Sequence, residues 1–342
     1  MPQDPMPPRF APSPQTLTAA DIGVCRLQEP LSRHCYWRIG GPADVLVEPT
    51  DAGQLARALA LADRHGAPVV IYGDGSNLLF DDAGVRGMVI RIGRAMASLN
   101  IQNQTIEAQA GVWAPRLARR AAQAGLAGLE HIVGVPGTLG GLVVMNGGSL
   151  QQSIGDVIRR VQIVTRQGAI QNLSPEECRF AYRASALQGA EAVVVSARLE
   201  LPPGDSAAIR TRMLEILRER RQKFPLKQPN CGSVFVRNLE MFDQFGPPGK
   251  VIEETGLKGL RIGDAQISHK HANFIVNLGA ARSADVLELI RAIRRRVFDR
   301  VGHWLTCEAR YVSPDGRIIP AHEAVETMNN DPLSRKTDNK DH

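Results

Sequence analysis

The stretch PNCGSVFVRN sets a thiol, Cys231, and a hydroxyl, Ser233, on either side of Gly232. Each could be a nucleophile, a proton donor or plain strand punctuation. In VVIYGDGSNLLF, Gly73 and Gly75 leave backbone amides uncovered, and Ser76 and Asn77 add short hydrogen-bonding side chains. Such a turn is either a strand exit or a nest of N–H groups for a pyrophosphate. It is not the G-x-G-x-x-G fingerprint and no helix opens directly behind it, which argues against an ordinary Rossmann unit. In GVPGTLGG and the following MNGG, Pro136 stiffens a turn while Gly134, Gly137, Gly140, Gly141, Gly147 and Gly148 permit close backbone approach to a ligand. That is more glycine than a connector requires. Two such cradles suggest a large dinucleotide held without a Rossmann motif.

Arg183 lies in the mostly apolar CRFAYRASAL and needs an anionic partner there, either a structural carboxylate or a ligand. Glu308 and Arg310 in LTCEARYV fall on one side of an alternating strand, so an ion pair between them is the plain reading. No GxSxG elbow accompanies Ser233 and no Cys–His pair is evident. A covalent mechanism has no other support.

Regular elements must position these groups. ADVLVEP (43–49), APVVIYG (67–73), VRGMVIRI (85–92) and TIEAQAG (105–111) read as strands, with an amphipathic helix over 51–66 and another over 114–125. VIRRVQIVT, AIQNL and AVVVSARLEL continue the strand pattern to residue 201. After PPGD the character changes: a helix carries Ile209, Met213, Ile216 and Leu217 on one face, and a second, 283–302, has the stripe Val286, Leu289, Ile290, Ile293 and Val297. Asp315-Gly316 marks a hairpin. The pattern is α+β, with a second α+β domain from about 204.

The 342 residues allow two or three domains, and 43% hydrophobic with 22% charged residues describes a soluble globular chain. No apolar stretch is long enough to span a membrane. MPQDPMPPRFAPSP lacks the apolar core of a signal peptide and reads as a disordered leader; the polar end reads as a disordered tail. Five cysteines without zinc spacing indicate free thiols in a reducing cytoplasm and no metal site. The net charge of +6 fits an anionic small substrate as well as nucleic acid. Aromatics at 5%, not interleaved with the basic residues, leave nucleic-acid binding without a motif.

Taken in order, WRIGGPAD, GDGSNLLF, GVPGTLGG with MNGG, YRAS, CGSVF, GLKGLRIGDAQISHKHANFIVN and CEAR resemble the motifs of the UDP-N-acetylenolpyruvoylglucosamine reductase family, covering about residues 25 to 315. The resemblance implies an FAD-binding domain of the vanillyl-alcohol-oxidase (PCMH) type in two subdomains, plus a smaller α+β substrate domain. Its expected divisions are a leader over 1–20, the FAD domain over 21–203 split near 84, the substrate domain over 204–320 and a tail over 321–342. It also implies that Gly73, Asp74, Gly75, Ser76, Asn77, Leu78, Gly134, Pro136, Gly137, Thr138, Gly140, Gly141 and Asn146 hold FAD. NADPH would reduce the flavin and then give way to UDP-N-acetylglucosamine enolpyruvate, which receives hydride at its β-carbon. Arg183 and Glu308 would polarise the substrate carboxylate and Ser233 would deliver the proton; Arg220, Lys223, Gln266 and His271 would contact substrate. Glu308 would then act in its protonated form, with a raised pKa. A cytoplasmic monomer serving peptidoglycan precursor synthesis, without a membrane or nucleic-acid partner, is expected. The connection over 201–209 has no insertion bearing an extra tyrosine, which resembles the shorter, type II class. Asp264 stands where the family pattern has glycine. The rival on the same fold, an FAD-dependent oxidase, lacks this serine–arginine–glutamate set.

Overall fold

The computed structural model describes residues 10–237 and 239–329. Its first sheet has the order Val24–Pro30, Pro42–Glu48, Val85–Arg91, Val69–Tyr72. The helix Ala52–Arg64 is the crossover between two of these strands. Asp51 starts it by accepting the Gln54 amide at 2.9 Å. Its apolar positions Leu55, Ala58, Leu59, Leu61 and Ala62 are buried. Val85–Arg91 is the central strand, parallel to both of its neighbours. A division near 84 would cut this sheet, so the first subdomain runs on through residue 91. The second sheet is antiparallel, in the order Leu99–Gln102, Thr105–Gln109, Ala192–Glu200, Ile158–Thr165, Ile170–Leu173.

The helix Ser206–Lys223 begins at Asp205, which caps the amides of Ala207 and Ala208. Ile209, Met213 and Ile216 are buried in the same core as the first two sheets. The expected boundary near 204 assigns this helix to the C-terminal domain; its apolar face binds it to the first part instead. The second core gathers around the helix Ser283–Val301, whose stripe Val286, Leu289, Ile290, Ile293 and Val297 is buried. The small sheet Arg261–Ile262, Ala265–Ile267, Ile275–Asn277 packs there too.

Both ends differ from the expected disorder where they are described. Phe10 is buried and donates its amide to Asp44 Oδ2 at 3.3 Å, and Pro14–Ala19 is helical with Leu17 buried. Apolar side chains inside a proline-rich leader found a core to join. Ala321–Asn329 is a helix that buries Ala321, Ala324 and Val325. Residues 1–9 and 330–342, and Asn238, lie outside the described residues.

The two parts are stitched together at several points. Leu78–Phe80 pairs in parallel with Arg310–Val312, which also pairs with Ile318–Pro320. Asp82 caps the helix Ser283–Val301 across the boundary, taking the Ser283 amide and hydroxyl each at 2.9 Å. The fully buried Trp37 donates its indole N–H to Ile275 O at 2.9 Å, and Asn277 returns a bond to Trp37 O at 3.0 Å.

Candidate active site

Ser233 is half-buried on a segment fixed entirely by its neighbours. Gly232 has φ +85°, a turn that favours glycine. Val234 donates to Asn273 O at 2.9 Å. The Asn273 side chain grips both backbone groups of Phe235, each at 2.9 Å. Val234 O accepts the Glu308 amide at 2.8 Å, and Phe235 bridges to Cys307. Ser233 and Glu308 are thereby brought onto adjacent backbone segments. Asn77, from the first glycine loop, donates its side-chain amide to Glu308 O at 3.0 Å and accepts the Arg310 amide at 3.0 Å.

Arg183 Nε lies 3.0 Å from Glu308 Oε1. The N–H does not point along that line, so the contact is a close ion pair rather than an aligned hydrogen bond. Nη2 of the same arginine donates to Gly148 O at 3.0 Å. The pairing corrects the simple Glu308–Arg310 reading. Glu308 sits in a bend and the strand begins only at Arg310, so alternation does not govern the two side chains. The Glu308 side chain is 21% exposed, mostly but not wholly covered. Burial pushes its carboxyl up from the ordinary value, and the charges of Arg183 and Arg310 oppose that without cancelling it. Burial also pushes the Cys231 thiol well up, with the charge of Glu308 adding to the effect. A buried neutral thiol is no nucleophile.

The two glycine loops rest on each other. A Cβ on Gly73 would fall 2.2 Å from Thr138 Oγ1, and one on Gly137 would fall 2.8 Å from Ser76 Oγ. Ser76 Oγ donates to Pro136 O at 3.3 Å. Gly75 and Gly137 have φ of +63° and +114°. In front of Gly141 the space is open: a Cβ there would find only Thr138 Oγ1, at 3.9 Å. Gly134 lies against the Arg220 stem, where a Cβ would fall 2.6 Å from Cδ. Arg220 Nε is buried without a hydrogen-bond partner, and burial pushes its guanidinium down from the ordinary value. An incoming anion would relieve that burial.

The sequence itself matches two family models. One is described as the UDP-N-acetylenolpyruvoylglucosamine reductase C-terminal domain, over residues 224–312, and the other as an FAD binding domain, over residues 43–174. UDP-N-acetylenolpyruvoylglucosamine reductase 1 of Corynebacterium glutamicum is 44% identical over 290 residues, 85% of this chain and 87% of that one. UDP-N-acetylenolpyruvoylglucosamine reductase 2 of Symbiobacterium thermophilum is 43% identical over 294 residues, 85% of this chain and 92% of that one. The crystal structure of the Thermus caldophilus enzyme (MurB) matches with a TM-score of 0.71 at 36% identity, covering 84% of this chain and 98% of that one. The chain belongs to the UDP-N-acetylenolpyruvoylglucosamine reductase family. It is therefore an FAD-dependent oxidoreductase with an FAD-binding domain followed by the reductase C-terminal domain.

The residues fit this family's cofactor: the touching glycine loops and the open space before Gly141 leave backbone free for a large planar, diphosphate-bearing group. Several of the expected contact residues also hold protein partners. The Asp74 carboxylate pairs with Arg91 at 3.3 Å. The Asn146 amide is spent on Ala181 O at 2.9 Å and the Gly155 N–H at 3.0 Å. Asn146 thus ties the second glycine loop to the turn that carries Arg183. Leu78 serves in the parallel strand pair with Arg310. Gly140 packs against Ala110, 3.0 Å from its Cβ position. Among the expected substrate contacts, Lys223 is exposed and acts on His271 through its charge. Phe224 follows it and packs against the His271 ring at 5.3 Å between centroids. Burial pushes the His271 imidazole down from its ordinary value. Gln266 donates to Gly259 O at 3.1 Å. Asp264 accepts the Ala280 amide at 2.8 Å and pairs with Arg261, which gives the substituted aspartate a structural task. Sequence reasoning missed Asn273. Its only signal was a polar residue in the apolar run HANFIVN.

Proposed function

We propose that this protein reduces UDP-N-acetylglucosamine enolpyruvate to UDP-N-acetylmuramate with NADPH, as a cytoplasmic monomer supplying peptidoglycan precursors. The observation that carries the reading is the meeting of three motifs at one point. Arg183 pairs with Glu308 at 3.0 Å, the Glu308 amide binds the residue next to Ser233, and Asn77 of the first glycine loop binds the Glu308 carbonyl.

FAD, when bound and reduced by NADPH, supplies a hydride to the β-carbon of the enol ether. The electron pair of the carbon–carbon double bond then moves to the α-carbon and its carboxylate. Arg183 holds that carboxylate by charge. Glu308, whose pKa burial raises, donates a hydrogen bond to it in its protonated form instead of repelling it. Ser233 gives its hydroxyl proton to the α-carbon, on the side its clamped backbone presents. A serine hydroxyl is a weak acid, and it suffices here because the acceptor is a strongly basic carbanion. Arg220, whose Nε is buried without a hydrogen-bond partner and whose guanidinium lies over the Phe224 ring, and Lys223 bind the diphosphate.

The test is a half-reaction experiment. Enzyme reduced with NADPH and mixed anaerobically with the enolpyruvyl sugar nucleotide regains its oxidised flavin absorbance within a turnover. Recovery only on admitting oxygen would overturn the reading in favour of an oxidase.

A further inference from the structure

We propose that Gln188 is a positioning residue for the reaction: its single side-chain amide holds both arginines that act on the Glu308 carboxylate. The inference rests on the proposed function and adds a residue to it. Gln188 Nε2 donates to Arg183 O at 2.9 Å and reaches Met145 Sδ at 3.3 Å. Gln188 Oε1 accepts from Arg310 Nη2 at 3.4 Å. One end of the amide therefore fixes the backbone of the arginine paired with Glu308. The other end restrains a second arginine whose charge also acts on it.

The backbone of Arg183 needs holding. Its φ is +53°, a left-handed conformation that a non-glycine residue keeps only where its surroundings impose it. The tight turn is closed by reciprocal bonds between Ala181 and Ala184 at 3.0 and 3.1 Å, and Gln188 anchors the carbonyl inside it. Met145 ends the helix Leu139–Met145 that follows the second glycine loop, so the same amide ties this turn to the cofactor side. Only a carboxamide meets both demands. A carboxylate has no donor for Arg183 O, an ammonium has no acceptor for Arg310, and a leucine has neither.

The charged and titratable groups facing Glu308 are Arg183 from the turn, Arg310 from the strand that follows it and Cys231 from the serine segment. The Cys231 thiol stays neutral, so the two arginines are what hold the Glu308 carboxyl down. Loosening them lets it remain protonated to higher pH while spoiling the alignment of the Arg183 guanidinium.

The experiment compares wild type, Gln188→Leu and Gln188→Glu, each FAD-loaded, across pH in anaerobic stopped flow. Flavin content and reduction by NADPH should stay within about twofold of wild type. Reoxidation by the enolpyruvyl sugar nucleotide should slow by about tenfold or more in Gln188→Leu. The alkaline decline of that step should move to higher pH in both variants, and further in Gln188→Glu, whose carboxylate repels a Glu308 anion. Unchanged reoxidation rates and an unmoved alkaline limb in both variants overturn the inference. Should Gln188→Leu lose flavin or melt early, the neutral, similarly sized Gln188→Met decides instead: a side chain without charge moves the alkaline limb only by releasing the arginines, and an unmoved limb in a folded, flavin-loaded Gln188→Met overturns the inference. Wild type that the substrate fails to reoxidise overturns the proposed function, and this inference with it. Normal wild-type turnover with indifferent variants overturns the inference only.

Discussion

Ser233 makes no hydrogen bond to the described residues, whereas the backbone on its C-terminal side is clamped at every polar group from Val234 to Phe235. A proton donor requires this combination of fixed position and free hydroxyl. Ser233→Ala should keep flavin reduction by NADPH and lower turnover by about 100-fold or more; equal loss in both half-reactions would speak against a proton-donor role. Glu308 makes the matching prediction. Its folded pKa is raised above 4.5, chiefly by burial. The reoxidation step should therefore decline as pH rises through the raised value, and Glu308→Gln, a permanently neutral donor, should lose that decline while Glu308→Ala loses activity throughout. Stability follows the same sign: this carboxyl's favourable contribution is complete below 4.5 and is lost as pH rises through the folded value. A pH profile of Glu308→Gln that keeps the wild-type alkaline limb would assign the limb elsewhere.

At the scale of elements, the two glycine loops act as one. Gly73 sits where any side chain would strike Thr138 of the other loop. Gly73→Ala should push the loops apart and lower the flavin bound to purified protein several-fold, read as the ratio of flavin to protein absorbance. Full flavin occupancy in that variant would show that the loop contact is dispensable. The loops were visible in the sequence because glycine at such density has few other uses. Their contact was not, since nothing local says that residue 73 meets residue 138. The helices Ala52–Arg64 and Ser283–Val301 were equally visible, from their apolar spacing. The short helix Ala321–Asn329 was hidden among polar residues, and only its burial against the second core accounts for it.

For the whole molecule, Ser233, Glu308 and the first glycine loop meet only because the two parts are held in register. The parallel pairing of Leu78–Phe80 with Arg310–Val312 brings the first glycine loop beside the strand that follows Glu308. Asp82 caps the helix Ser283–Val301 from across the boundary. Asp82→Ala should cost about 1 kcal/mol, as the loss of a helix cap does, and lower the melting temperature by a few degrees. A double-mutant cycle with Ser283→Ala should show coupling, since the two side chains bond each other; strict additivity would mean that the cap contributes nothing across the boundary.

The sequence by itself determined the chemistry available: a flexible backbone for a large cofactor, an arginine that needed an anion, a serine without a catalytic base, and the ordered motifs of a reductase family. It also determined the four longest helices and most strands of the first two sheets, because hydrophobic period is a local property. Only the tertiary structure decided partners. Arg183 pairs with Glu308 rather than a neighbour in sequence, the helix Ser206–Lys223 joins the first core, Asp74 pairs with Arg91, and Asn146 bonds Ala181. Local spacing limits which way a side chain points. Which distant charge or apolar face meets it there depends on how the three cores and four sheets among the described residues close together.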